Sequence, residues 1–74
     1  MTFIHTPEQL GQALRSARKQ LALTQPQLAL AAGVGVRFVV ELEAGKPTVR
    51  LVQVLRVIDA LGGTLQLTGL PGAE

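Results

Sequence analysis

Residues 23–46, LTQPQLALAAGVGVRFVVELEAGK, read as two short helices joined by a glycine-containing turn. Apolar residues recur at Leu28, Ala32, Val34, Val39 and Leu42, and a small residue, Ala29, falls where the two helices would cross. The pattern describes a compact helix-turn-helix. In a small basic protein, the usual use of that motif is to place its second helix in the major groove of DNA.

Local signals set the limits of these helices. Thr24 can cap a helix over about residues 25–32, with Pro26 in the first turn and Gln27 as the reciprocal cap. Gly33 follows its end, where a left-handed residue is cheap only for glycine. The next helix is expected over about 36–44, capped by Gly35 and ended by Gly45. Upstream, Thr6, Pro7 and Gln9 form a T-x-x-Q start for a helix over about 7–20. Leu10, Leu14, Ala17 and Leu21 give it an inner face, with Gln12, Arg15, Ser16 and Lys19 outward.

Downstream, Leu51, Val54, Leu55, Ile58 and Leu61, broadened by Val57, form an apolar stripe on a helix over about 51–61. Gly62 and Gly63 stop it, and residues 64–68 then alternate with period two, as a strand does. A lone strand needs a partner for its backbone groups. Phe3-Ile4 is one candidate, the same segment of a second chain is another, and an extended tail lying on its own core is the plain alternative. The favoured expectation is a strand that pairs across a homodimer, with Leu65 and Leu67 in the interface. Residues 69–74 read as frayed. The expected fold is thus all-α, with four to five short helices and a C-terminal β-strand, in one domain spanning residues 1–74.

Composition narrows the function classes. A chain of 74 residues lies near the lower size limit for a self-sufficient core, which favours oligomerisation. Phe3 and Phe38 are its two aromatic residues, too few for the stacking platforms of single-strand binders. Cysteine is absent, which removes disulfides, thiolate metal sites and a cysteine nucleophile. Arg50, Arg56 and Asp59 interrupt the most hydrophobic segment before it reaches membrane-spanning length, and a cytoplasmic protein is expected. No catalytic set is visible: His5 and Ser16 stand alone, and the G-V-G of residues 33–35 lacks the features of a phosphate loop. No enzyme activity, cofactor or metal is expected. The net charge of +2 permits nucleic acid without requiring it.

The stretch TQPQLALAAGVGVRFVVELEAGK, with Arg18 of the preceding LRSARKQLAL, resembles the Cro and phage-repressor family of helix-turn-helix proteins. The tail GKPTVRLVQVLRVIDALGGTLQL is similar to that of HipB-type antitoxins, in which such a domain ends in a strand that pairs across a dimer. The resemblance spans about residues 8–68 and implies a lambda-repressor-like fold. It further implies that the start of helix 2 and the turn after helix 3 hold phosphates, while the start of helix 3 reads bases. Carried over by position, Gln25 and Lys46 become phosphate contacts, and Thr48 and Arg50 add to the same clamp. Gln25 also stands at a helix N-terminus, whose exposed amides favour an anion. The same family pattern sets Arg18 opposite Glu43, an ion pair that belongs to the scaffold.

Val36, Arg37, Val40 and Glu41 are the expected base contacts. The fork of Arg37 can pair with guanine O6 and N7, and the valines can meet thymine methyl groups. Glu41 can accept from cytosine N4 or hold Arg37 one helical turn away. Phe38 is expected to pack over helix 2 or at its rim. The family carries polar residues at several of these places, so the valines move specificity toward DNA shape.

The expected function is a dimeric repressor that binds a palindromic operator in double-stranded DNA, its recognition helices about 34 Å apart. The resemblance adds a role as antitoxin to a HipA-like kinase toxin. The competing reading is a protein-interaction module without DNA binding, motivated by the apolar Val36, Phe38 and Val40.

Overall fold

A computed structural model describes residues 2–72, and every regular element among them is a helix: α1 Pro7–Gln20, α2 Gln25–Ala32, α3 Val36–Glu43 and α4 Leu51–Ala60. The expected frayed end is described as far as residue 72, where the chain beyond α4 is irregular and exposed.

Threonine starts the first two helices. Thr6 Oγ1 accepts from the Gln9 backbone N–H at 3.1 Å. The Gln9 side chain reaches one residue past the cap and accepts from the His5 N–H at 2.6 Å, so the reciprocal bond expected at Thr6 is shifted by one position. At α2 both halves of the capping box close: Thr24 Oγ1 accepts from Gln27 N–H at 3.2 Å, and Gln27 Oε1 accepts from Thr24 N–H at 2.9 Å. Two otherwise orphaned backbone donors are satisfied in each case.

All four helices end by one device. Two successive N–H groups beyond the helix fold back onto carbonyls of its last turn, and the residue between them turns left-handed. Gly33, Gly45 and Gly62 occupy that position in α2, α3 and α4. In α1 the position falls to Ala22, at φ 58°, where a Cβ is disfavoured by about 1–2 kcal/mol. Its bonds are those of the motif: Ala22 N–H to the Lys19 carbonyl at 3.0 Å, and Leu23 N–H to the Arg18 carbonyl at 3.1 Å. Helices α3 and α4 each stop one residue before the expected 44 and 61, because Ala44 and Leu61 serve as the caps.

The core joins Leu14 of α1, Leu28, Ala29 and Ala32 of α2, Val39 and Leu42 of α3, and Val54, Val57 and Ile58 of α4. Helix α3 packs between α1 and α2, and α4 closes the other side of α2. Gly11 sets the α1–α3 distance. A Cβ there would lie 2.5 Å from the Leu42 carbonyl oxygen and 2.8 Å from that of Glu43, so α1 rests its backbone directly on the end of α3.

Two expectations need correction. Leu21, Leu51 and Leu55 do not enter the core; Leu51 remains 65% exposed. Helix α4 turns Val54, Val57 and Ile58 inward, which leaves Leu51, Val52 and Leu55 on a second, uncovered face. Residues 64–68 also form no strand within the chain. No backbone hydrogen bond among the described residues engages them, and Phe3-Ile4 does not pair with them. Period-two alternation marks a segment able to be a strand, and only a hydrogen-bonding neighbour makes it one. Leu65 and Leu67 are exposed in this single chain, which also excludes a tail buried on its own core.

Candidate nucleic-acid interface

Helix α3 has eight residues and two unlike faces. Val39, Leu42 and Glu43 are buried, while Val36, Arg37 and Val40 are exposed and Glu41 is half-buried. Positions four apart stack along a helix, so Val36 and Val40 form one outward row and Arg37 and Glu41 another. Phe38 is partly buried against the core and supplies the rim between the two faces. Arg37 keeps its side chain 91% exposed.

The inward end is anchored by a buried ion pair. Arg18 Nε donates to Glu43 Oε2 at 2.7 Å, and its Nη2 donates to Oε1 at 3.0 Å, a two-pronged contact that ties α1 to the last turn of α3. The third prong, Nη1, donates to the Leu23 carbonyl in the α1–α2 turn at 2.8 Å. The hydrogen bond to Glu43 drives the Arg18 pKa above its ordinary value, outweighing the opposing cost of desolvation. No buried side-chain nitrogen or oxygen among the described residues lacks a partner, which is the condition under which a buried pair is tolerated.

Gln25, the first residue of α2, joins this group. Its Nε2 donates to Glu43 Oε1 at 3.1 Å, a contact the sequence does not announce. The Gln25 amide is thereby held at the helix N-terminus, and Nε2 carries a second proton that this bond does not use.

The outward end forms a second charge group. Glu41 Oε2 lies 3.2 Å from Lys46 Nζ and 3.5 Å from Arg37 Nε. The hydrogen bond from Lys46 is the main reason the Glu41 carboxyl sits below the usual glutamate range; Arg37 adds to it. The helix-ending turn explains the Lys46 contact. With Gly45 at φ 87°, the Lys46 N–H bonds back to the Glu41 carbonyl at 3.0 Å, which lays the lysine stem over the same residue whose carboxylate it meets. Gly45 is also pressed against α1, since a Cβ there would lie 2.9 Å from the Glu8 Cα.

The site residues therefore fall into an inner group, Arg18, Gln25 and Glu43, and an outer group, Arg37, Glu41 and Lys46. Thr48 and Arg50 are exposed in the connection to α4 and make no side-chain hydrogen bond or ion pair among the described residues. Two features beyond the expected site hold it in place. Gly11 could have been suspected, since a glycine inside a helix costs about 1 kcal/mol relative to alanine and usually answers to packing. The Lys46–Glu41 contact could have been read from a glycine-lysine pair after a helix whose third-last residue is acidic.

No cluster of three or more His, Cys, Asp or Glu able to hold a metal occurs among the described residues. No helix among them is long and apolar enough to cross a membrane.

A helix-turn-helix domain family model matches residues 9–70. An uncharacterized HTH-type transcriptional regulator, y4mF of Sinorhizobium fredii (strain NBRC 101917 / NGR234), is 47% identical over 64 residues, which cover 86% of this chain and 84% of that protein. Among solved structures, a chain of a HipB-O4 20mer complex matches with a TM-score of 0.86 at 22% identity, covering 96% of this chain and all 100% of that one. A chain of a HipA-HipB-O2-O3 complex gives the same TM-score, 0.86, at 22% identity over 96% of this chain and 100% of that one. The restriction-modification controller protein C.AhdI from Aeromonas hydrophila matches with a TM-score of 0.72 at 33% identity, covering 78% of this chain and 88% of its own.

Proposed function

The chain belongs to the helix-turn-helix family of transcriptional regulators, and we propose that it is a repressor that binds a palindromic operator in double-stranded DNA as a homodimer. The observation that carries this reading is the split of α3. Its inner face is locked to α1 and α2, while Val36, Arg37 and Val40 stand outward and Glu41 lies between Arg37 and Lys46. In the proposed complex Val36, Arg37, Val40 and Glu41 face base edges. Gln25, Lys46, Thr48 and Arg50 face phosphates, which position the protein without reading sequence.

The homodimer would form through the part of the chain left uncovered. Leu51, Val52 and Leu55 on α4, with Leu65 and Leu67 beyond it, are exposed apolar side chains on a small domain. Pairing of 64–68 with its symmetry mate would supply the missing hydrogen-bond partner and cover these leucines, placing two recognition helices about 34 Å apart. The likeness to a chain in a HipA-HipB-O2-O3 complex supports a further role as the antitoxin partner of a HipA-like kinase toxin.

A mobility-shift titration at two salt concentrations, on a duplex selected from a random pool, tests the reading. Arg37→Ala is expected to weaken binding to the selected duplex and relax its sequence preference. Lys46→Ala is expected to weaken binding to every duplex and flatten the salt slope. Unchanged affinity in both variants refutes the surface assignment. Sedimentation of Leu65→Asp/Leu67→Asp checks the dimer, with a shift to monomer expected. A second reading, a protein-interaction module, draws on the exposed Val36 and Val40. Capture of a kinase-like partner by a chain that retards no duplex would favour it.

A further inference from the structure

The outer charge group contains an acid where a DNA-facing surface would gain most from cations alone. Glu41 occupies the outward face of α3, and a single oxygen, Oε2, lies within 3.5 Å of both Arg37 Nε and Lys46 Nζ. The arrangement is built into the backbone. Arg37 precedes Glu41 by one helical turn, and the turn at Gly45 returns Lys46 onto the Glu41 carbonyl. The carboxyl is ionised at neutral pH, being held below the ordinary glutamate range chiefly by the hydrogen bond from Lys46.

We propose that Glu41 is a specificity-determining residue that acts by competition: it occupies Lys46 and Arg37 in the free protein and so suppresses binding to DNA of arbitrary sequence. This rests on the DNA-binding reading above. Binding to arbitrary DNA is driven almost entirely by cations that neutralise phosphates and release counterions. A lysine already paired with a carboxylate must exchange that partner for phosphate, and the released carboxylate is left facing a polyanion. The exchange therefore gains less than an unpaired lysine would. At the correct site the balance changes. Arg37 finds a guanine edge for its fork, and the freed carboxylate finds a donor such as cytosine N4–H. Wrong sequences meet an unpaired carboxylate; the right one satisfies it. Discrimination of this kind comes from a repulsive element against competitors as much as from attraction to the target.

The arrangement also explains why Arg37 and Lys46 are engaged unequally. Lys46 makes the hydrogen bond and the shorter contact, while Arg37 lies 3.5 Å from Glu41 through Nε and keeps its side chain almost fully exposed. The base-reading cation stays presentable and the phosphate-binding cation is masked.

A double-mutant cycle on full-length protein tests this, using a random-sequence 20-base-pair duplex pool and a duplex selected by the wild type. Glu41→Gln is expected to tighten binding to the random pool about fivefold and steepen its salt slope by about one. Binding to the selected duplex should tighten less than twofold or weaken, so the specificity ratio falls. Lys46→Gln should weaken random-pool binding about twofold in the wild type and about tenfold in the Glu41→Gln background, because only there is the lysine unmasked. Equal effects of Lys46→Gln in the two backgrounds would show a mere change in net charge and overturn the proposal. So would random-pool affinity unchanged or weakened by Glu41→Gln. A wild type that retards neither duplex overturns the DNA-binding reading itself, and circular dichroism confirms that each variant remains folded.

Discussion

Val39 and Val40 are neighbours in one helix and share no environment. Val39 is 0% exposed in the core, while Val40 is 43% exposed on the outward row. Their acidic neighbours repeat the contrast. Glu43 is enclosed by Arg18 and Gln25, whereas Glu41 meets Arg37 and Lys46 at the surface. The inner face of α3 supplies stability, and the outer face is released from that duty. A helix so short can serve as a probe of another molecule only because its other side is over-determined.

Substitutions should separate the two faces cleanly. The largest effect is expected at the inner ion pair. Arg18→Ala leaves Glu43 buried with Gln25 as its remaining donor, and removing one partner of such a pair costs about 3–5 kcal/mol. That is a large part of the roughly 5–10 kcal/mol stability of a small domain. A urea midpoint that moves by less than the equivalent of about 1 kcal/mol would mean that water reaches Glu43 and that the inner face is looser than described.

The neighbouring valines give the sharpest form of the comparison. Val39→Ala should destabilise by about 1.5–3 kcal/mol, the worth of burying a valine side chain. Val40→Ala should stay within about 0.5 kcal/mol, as surface changes do. Denaturation curves of the pair, measured side by side, decide it; equal losses would erase the distinction between the faces.

Gly11→Ala probes the support beneath the inner face. The new methyl group would meet the Leu42 and Glu43 carbonyls, so α1 must move off α3. We expect overpacking to cost about 1–3 kcal/mol, offset in part by the gain of about 1 kcal/mol in helix propensity, for a net loss of up to about 2 kcal/mol. Thermal melting checks this, and a raised melting temperature would show that the close approach is not rigid.

The smallest effect belongs to the outer acid. Because its carboxyl is held below the ordinary range, ionised Glu41 favours the folded state above the unfolded-glutamate value of roughly 4.3, and the contribution is lost as pH falls through the depressed value. The stability difference between wild type and Glu41→Gln should therefore be present at pH 7 and disappear once pH has fallen below that depressed value. A difference that grows toward low pH would contradict the assignment of Lys46 as its main partner.

Much of this molecule was legible in its residues because the deciding interactions are local. Thr24 and Gln27 cap a helix three positions away, and Gly33 and Gly45 end helices within one turn, so the chain around them carries its own instructions. Periodicity placed Val39 and Leu42 inside and Arg37 outside for the same reason. It misplaced Leu51 and Leu55, because an apolar stripe wider than one contact face does not say which edge a neighbour will cover. It also marked 64–68 as able to pair without supplying the partner.

The amino-acid order by itself marked the four helices, overrunning α3 and α4 by one residue, and the two-faced character of α3, through signals spanning four or five residues. Tertiary structure alone decided that Gly11 lies on the Leu42 and Glu43 carbonyls and that Gln25 joins the Arg18–Glu43 pair. Those contacts span 18 to 32 positions, and their geometry exists only once the helices have packed. The physical reason is that backbone stereochemistry and hydrogen bonding act over a single turn, whereas close approach and charge burial depend on where distant segments come to rest.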